Sequence, residues 1–372
     1  MRVKLTDVCT PKQWKTIATG ELLEKGYPVY GANGLIGYYS EYNHEHPVVT
    51  ITCRGATCGT INVTVPQSYV NGNAMCLDDL CPIVLLDYLY YCLLHYDFSN
   101  VISGSAQPQI TRQGLEKVEI EVCSMEQQHK TVASLKKIEY VINARQQQLQ
   151  KLDELVKSRF IELFGDPVDN PKTYLVKSLQ ELIDMGYITY HLDGNHGGDY
   201  PRSEEFVDSG VPYIGANSIV NGEIDFSMAK FLTVERAGKL RKGIAQNNDV
   251  LFAHNATVGP TVVLKTTEPK VILSTSLTAY RCNQSELLPN YLKAYMQSDG
   301  FVRQYSGEMK QTTRNQVPIT AQKKYLFLVP PIVEQEQFAT FVEQTDKSKF
   351  VVQKALDEAQ LLFDSLMQKY FG

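Results

Sequence analysis

Five side chains in the second half of the chain have the chemistry of a catalytic or metal centre: His191, Asp193, His196, Asp199 and His254. Imidazoles and carboxylates hold metals or move protons when a rigid element aligns them. Their spacing argues against that use. His191 and His196 stand five apart in "YITYHLDGNHGGDYPR" (187–202), so no helix aligns them as the i, i+4 pair of a zinc hydrolase is aligned. Cys53 and Cys58, followed by Cys76 and Cys81, have the paired look of a zinc site. The second half of the chain nevertheless offers only Cys282, and eight cysteines in 372 residues is ordinary for a reduced compartment. Buried free thiols are the expectation, with no bound metal and no catalytic residue. The chain lacks a phosphate-binding loop, a nucleophile elbow and a dinucleotide fingerprint. A metal-dependent hydrolase is therefore the weakest reading.

The same loops suit recognition of DNA. Base edges are read by Arg, Lys, Asn, Gln and small hydroxyl side chains presented on loops. In the second half the candidates begin with Tyr190, His191, Asp193, Asn195 and His196, where glycines would let backbone approach phosphate. Asn217 and Ser218 follow, then His254, Asn255 and Thr257, and finally Lys310, Gln311, Arg314 and Asn315 in "KQTTRNQ". The first half offers Asn33 and Gly34, Arg54 and Thr57, then Ser105, Gln107, Gln109 and Arg112. Asn33 and Asn217 equally suit a left-handed turn, and Arg54 equally suits a surface charge. The "HLDGNHGGDYP" run is expected to contribute most, because core packing gives no reason for it. The net charge of −5 lacks the basic excess of an independent nucleic-acid binder.

These loops come in two sets because the chain repeats itself. "PVYGANG" (28–34) returns as "PYIGANS" (212–218), with Pro28, Gly31, Ala32 and Asn33 each matched 184 positions later. Ala56, Thr57 and Gly59 fall on Ala256, Thr257 and Gly259 at an offset of 200, and Ile110-Thr111 on Ile319-Thr320 at 209. The growing offset places longer loops in the second copy. Residues 48–64 and 249–265 each read as two strands and a turn. "LLDYLYYCLL" and "LPNYLKAYMQS" read as the helices that follow.

Each copy closes on a long helix. Leu135, Ile138, Ile142, Arg145, Leu149, Leu152, Val156, Arg159 and Leu163 alternate spacings of three and four. Val342, Thr345, Lys349, Val352, Leu356, Ala359, Phe363, Leu366 and Tyr370 repeat that seam 207 positions later. Such a seam marks a coiled coil. Neither helix buries its stripe alone, so each is expected to pair with the other, antiparallel, relating the halves by a pseudo-two-fold axis. The expected fold class is α+β. Two similar recognition domains (1–125 and 166–333) would each be followed by a long helix (126–165 and 334–372). A coiled-coil adaptor that binds no DNA would need these helices but not two loop-rich domains. The N-terminus has no signal-peptide core and the apolar run at 82–94 is too short to span a bilayer, so a cytoplasmic protein is expected.

Over essentially its whole length the sequence resembles the specificity subunits of type I restriction-modification systems. The resemblance rests on the "YGANG" and "IGANS" turns and on the paired strands around "CRGATCG" and "AHNATVG". It rests also on the "EQQ" and "EQEQ" that open the helices, and on the endings "SRFIELFGDP" and "SLMQKYFG". It implies two target-recognition domains, each reading half of a split, non-palindromic duplex DNA site, and no catalytic centre in this chain. It also implies two N6-adenine methyltransferase subunits as partners, with restriction/translocase subunits beside them. S-adenosylmethionine, ATP and magnesium would belong to those partners, none to this chain, and no membrane is involved.

Overall fold

In the computed structural model, each copy of the repeat is built on a four-stranded antiparallel sheet with the same strand order. The structure describes every residue except 33, 105–106 and 310–314, and leaves undescribed the side chains of 198 and 307–309. In the first copy the spatial order is Thr10–Gln13, Ala74–Asp78, Val49–Thr52, Ile61–Val63. In the second it is Ile188–Asp193, Leu277–Cys282, Val250–Asn255, Thr257–Val263. Val49–Thr52 is buried at every position, and Val250–Asn255 at all but the last. A strand covered on both faces reads as a continuous apolar run, which is how "VLFA" appears in the sequence, whereas "VTIT" buries the hydroxyl-bearing Thr50 and Thr52 on its second face. The expected helices lie at Leu86–His95 and Pro289–Met296, and their Tyr88 and Tyr291 belong to the respective cores.

A smaller sheet carries the repeated turn. In the first copy it has three strands, Gly34–Tyr39, Tyr27–Gly31 and Tyr69–Val70. The second copy enlarges it to five: Phe206–Val207, Lys230–Leu232, Val211–Ile214, Val271–Leu273 and Ile244–Ala245. The added strands and the short helix Val234–Lys239 account for most of the drift in offset between turn and central strand.

The long helices run Met125–Phe164 and Ile332–Phe371, each 40 residues and about 60 Å at 1.5 Å per residue. The chain forms two compact units, 1–147 with 352–372, and 148–351, so each unit holds one copy of the repeat and part of both helices. In the first unit the beginning of one helix meets the end of the other: Val132, Leu135 and Ile142 share a core with Ala359, Phe363 and Met367. In the second unit Phe160 and Phe164 share a core with Phe338 and Val342. The pairing is antiparallel within each unit. Every seam position expected from the sequence is buried or half-buried. Phe160, Phe164, Phe338 and Met367 lie beside the seam and are more deeply buried than most of it, because they face the unit's own domain as well as the opposite helix.

One repeated glutamine fastens each helix to its domain. Gln128 is wholly buried; its Oε1 accepts from the Leu85 N–H at 2.9 Å, and its Nε2 donates to the carbonyls of Ile83 (2.8 Å) and Cys123 (2.9 Å). Gln335 does the same 207 positions later, accepting from Leu288 N–H at 2.9 Å and donating to Glu286 (3.2 Å) and Pro330 (2.9 Å). The "EQQ" and "EQEQ" motifs thus have a physical role. They satisfy backbone groups that would otherwise be buried unpaired. Among the described residues, no helix is long and apolar enough to cross a membrane.

Candidate nucleic-acid interface

In the first unit the candidate segments converge where the central strand Val49–Thr52 ends. The Thr52 hydroxyl donates to the Ala32 carbonyl, tying the "YGANG" turn to this strand. Beyond it, Gly55 N–H donates to Pro108 O at 3.1 Å and Ile110 N–H to Cys53 O at 3.0 Å. Arg54 and Gln109 face each other as an isolated β-bridge. Gly55 and Gly59 adopt φ of 92° and 96°, the left-handed region that lets this loop turn back within a few residues. Gly34, Arg54, Thr57, Gln107 and Gln109 are therefore brought into one cluster of loops. Arg112 opens the short helix Arg112–Leu115, capped by Thr111, immediately after it. Arg54, Thr57, Gln107, Gln109 and Arg112 are all exposed.

The second unit repeats this frame. Ala256 N–H donates to Asn315 O at 2.9 Å, Val317 N–H donates to His254 O at 2.8 Å, and Asn255 bridges Gln316. Ala256 takes the left-handed φ of 64° that glycine takes in the first unit. The turn at Gly215 is tied in by Ala216 N–H to Ser276 Oγ at 2.8 Å, and His254 N–H reaches Ser276 O at 3.0 Å. These bonds correct the alignment read from identical letters. Gly55 corresponds to Ala256 and Ile110 to Val317, whereas the sequence had paired Ala56 with Ala256 and Ile110 with Ile319. In these two loops the hydrogen-bond register is kept where the letters are not. Asn217, Thr257 and Asn315 are exposed and Asn255 half-buried.

The run at 187–202 behaves differently from its expectation as the leading base reader. Ile188–Asp193 is a strand of the central sheet, and His191, Asp193 and Asn195 are buried. His191 Nε2 contacts Gln322 Oε1 at 3.1 Å, an oxygen that also accepts from the Tyr280 hydroxyl at 2.6 Å. Asn195 Nδ2 donates to Lys242 O at 2.6 Å. The Tyr190 hydroxyl accepts from Ile244 N–H at 3.0 Å, and the Arg281 guanidinium lies 4.7 Å from its ring centroid. A Cβ on Gly194 would meet the Ser274 backbone at 2.3 Å, so this glycine lets the chain pass closely against the end of the strand Val271–Leu273. Core packing explains the run as far as Asn195, whereas His196, Gly197, Asp199 and Tyr200 are exposed. Its polar character satisfies a buried network, a use that periodicity does not signal. His254 and Ser218 are likewise buried, leaving His196 half-exposed beside Asp193 at 2.7 Å. Asn33, Ser105, Lys310, Gln311 and Arg314 lie outside the described residues.

The electrostatics fit a packing role. Burial pushes the His191 imidazole down to about 4 and the His254 imidazole below its usual range, keeping both neutral near pH 7. Gln322, missed in the sequence, is the centre of this network; its Nε2 donates to Val317 O at 3.1 Å and contacts Thr278 Oγ1 at 3.2 Å. The four cysteines first weighed as a zinc site are free thiols, with Cys53 and Cys76 buried.

Two loop clusters hung on one backbone frame invite comparison with known proteins. The model of the type I restriction modification DNA specificity domain matches residues 1–154 and 171–359. The chain belongs to this family. Specificity subunits are the non-catalytic members of type I systems, and this chain is of that kind. It is 29% identical to the EcoprrI type I restriction enzyme specificity subunit of Escherichia coli over 118 residues. That match covers 32% of this chain and 29% of the relative's length. The fold resembles that of the type I restriction-modification S subunit from M. genitalium. The TM-score is 0.64 at 15% identity, over 100% of this chain and 96% of that one. A chain from a structure described as "complex assembly and conformational transition of the type I R-M system" matches with a TM-score of 0.54. Its identity is 15%, over 100% of this chain and 97% of that one.

Proposed function

We propose that this specificity subunit reads a bipartite, non-palindromic duplex DNA site, one half-site per unit. On that site it positions two N6-adenine methyltransferase subunits and the restriction/translocase subunits. The observation that carries the reading is the repeated frame. In both units the same backbone bonds join a strand-end loop to a following segment, a side-chain hydrogen bond ties the repeated turn beside them, and different side chains are presented there. Arg54, Thr57, Gln107, Gln109 and Arg112 form the first reading set, and His196, Asn217, Asn255, Thr257 and Asn315 the second. Arg is suited to guanine, Asn and Gln to adenine, and Thr to either base edge or the thymine methyl.

Affinity for DNA comes largely from neutralising phosphates, and a chain of net charge −5 has little to spare. The methyltransferase subunits supply most of the backbone clamp in this reading, and they carry the S-adenosylmethionine. ATP and magnesium belong to the restriction subunits. Work on the host's own DNA sets the complex in the cytoplasm.

The deciding experiment is to map methylated adenines in cells carrying the wild type, Arg54→Ala and Asn255→Ala. The expected result is a split motif whose halves change one at a time. A motif whose two halves change together in either variant would overturn the two-reader mechanism.

A further inference from the structure

We propose that the first unit binds a transition-metal dication of the zinc class through His44 Nε2, Cys76 Sγ and Asp78 Oδ1. These three residues bring ligand atoms within 4.8 Å of one another. Cys76 and Asp78 are two apart on the strand Ala74–Asp78, which places both side chains on one face. His44 arrives from the preceding loop, held by its N–H to Ser68 O at 3.0 Å. Nitrogen, sulfur and carboxylate oxygen together suit zinc or its neighbours and not calcium or magnesium, and a water completes a four-coordinate shell.

The supporting shell is already in place. Metal-bound imidazoles generally donate their other N–H to a fixed acceptor. His44 Nδ1 lies 2.6 Å from Asn43 Oδ1. That oxygen also accepts from Val70 N–H at 2.8 Å, while Asn43 Nδ2 donates to Val70 O, so its identity as an acceptor is fixed. The second oxygen of Asp78 accepts from the Trp14 indole N–H at 3.1 Å. Nε2 and Oδ1 are left facing each other at 3.0 Å. Burial and the Asp78 charge raise the Cys76 thiol, which is therefore protonated in the metal-free protein. Lys12, held 3.7 Å from the Trp14 ring centroid, acts in the opposite direction on that thiol. Binding one dication releases the thiol proton to solvent and forms metal–sulfur, metal–nitrogen and metal–oxygen bonds.

The ion would join two sheets. Asn43 and His44 are bonded to Ser68 and Val70, whose strand pairs with Tyr27–Gly31 of the turn-bearing sheet. Cys76 and Asp78 belong to the four-stranded sheet. In the second unit the strand partner of Leu251 is Ala279, where the first unit pairs Thr50 with Cys76, so one ion per chain is expected rather than two. The sequence reading expected no metal because it tested cysteine spacing, and His44 and Asp78 stand 34 apart.

The test is titration of the reduced, metal-stripped full chain with Co²⁺. One equivalent should bind, with a near-ultraviolet sulfur-to-cobalt band that zinc displaces. Cys76→Ser should lose the band. Trp14→Phe keeps the ring but frees Asp78 Oδ2, and should weaken binding by about 10- to 100-fold. His44→Gln, at a half-buried position, should weaken it further while the chain stays folded. Absence of the band in folded wild type would overturn the proposal. So would a band that persists in Cys76→Ser, or unchanged affinity in His44→Gln.

Discussion

The two units join the strand-end loop to the following segment by the same backbone hydrogen bonds but fill the space behind them with different chemistry. Cys53 and His254 occupy equivalent places, each accepting the backbone N–H that opens the third segment. Behind the first set lies a thiol: Gln13 Nε2 donates to Cys53 Sγ at 3.0 Å, and Cys53 Sγ donates to Asn73 O at 3.1 Å. Behind the second lies the His191–Gln322–Tyr280 network with His254 beside it. The frame sets where loops can be, and the supporting residues set what shape they take. A duplicated reader can thus diverge in specificity without moving its backbone scaffold.

The largest expected effect tests the shared part of the frame. Replacing Gln128 or Gln335 by Leu leaves a buried N–H and two buried carbonyls unpaired. Each unsatisfied group costs about 1–3 kcal/mol, so a loss of about 3–5 kcal/mol is expected after partial relaxation. Because each glutamine serves one unit, hydrogen exchange should accelerate in residues 1–147 for Gln128→Leu and in 148–351 for Gln335→Leu. Equal acceleration in both units for either variant would show that the helices, and not these anchors, set local stability.

Acid should separate the units. His191 is neutral in the folded chain with its pKa pushed down to about 4, whereas the unfolded imidazole titrates at about 6.5. Between those values the unfolded state holds a proton that the folded state lacks. Stability therefore rises with pH through the window and is lost as pH falls from about 6.5 towards 4. The loss is about 3 kcal/mol at its full extent, and His254 adds to it in the same direction. Cys53, its counterpart in the first unit, is raised by burial and stays neutral throughout. Urea unfolding of the second unit followed by hydrogen exchange should show this acid loss, and His191→Phe should reduce it. A second unit as acid-stable as neutral-pH protein would sink the argument.

Much of this comparison was legible in the sequence, and the part that was not has two causes. The repeat, the strand pairs, the long helices and their seam all follow from periodicity, which reports burial directly. Arg54, Gln107 and Gln109 are exposed, as expected of polar residues in turns with few internal partners. His191, Asp193 and Asn195, expected on open loops, are buried: a buried network is also polar, and only three-dimensional pairing with Gln322 and Lys242 distinguishes it. Phe160, Phe164 and Phe338 lie off the seam because the helices also pack on a domain. No single period describes a helix with two partners.

An intermediate effect concerns the exposed reading residues. Arg54→Ala or Thr257→Ala should relax recognition at one base position by about 1–3 kcal/mol and leave folding unchanged. The change should appear as degeneracy in one half of the methylated motif. Asn195→Ala should instead lower the melting temperature, because its amide is spent on the Lys242 backbone. Degeneracy without destabilisation in Asn195→Ala would return that residue to the reading set.

The smallest expected effect is in the seam itself. Lys349 in the second unit pairs with Asp153, while the seam position 207 residues earlier is Ile142, buried in the first unit. The ion pair is largely solvent-exposed on the Asp153 side, where such pairs contribute about 0–1 kcal/mol. Burying part of an isoleucine returns about the same amount. Lys349→Ile should therefore change stability by less than about 1 kcal/mol, and its effect should lose the salt dependence of the wild type. The reverse change differs in sign and size. Ile142→Lys removes a buried side chain from a core containing Leu135 and Phe363, a loss of about 2–4 kcal/mol. Urea midpoints of the two variants, measured at low and high salt, give both values. Equal losses would mean that the two halves of the seam are held by the same forces. The expected inequality would mean that one copy keeps the helices paired by packing while the other tolerates charge.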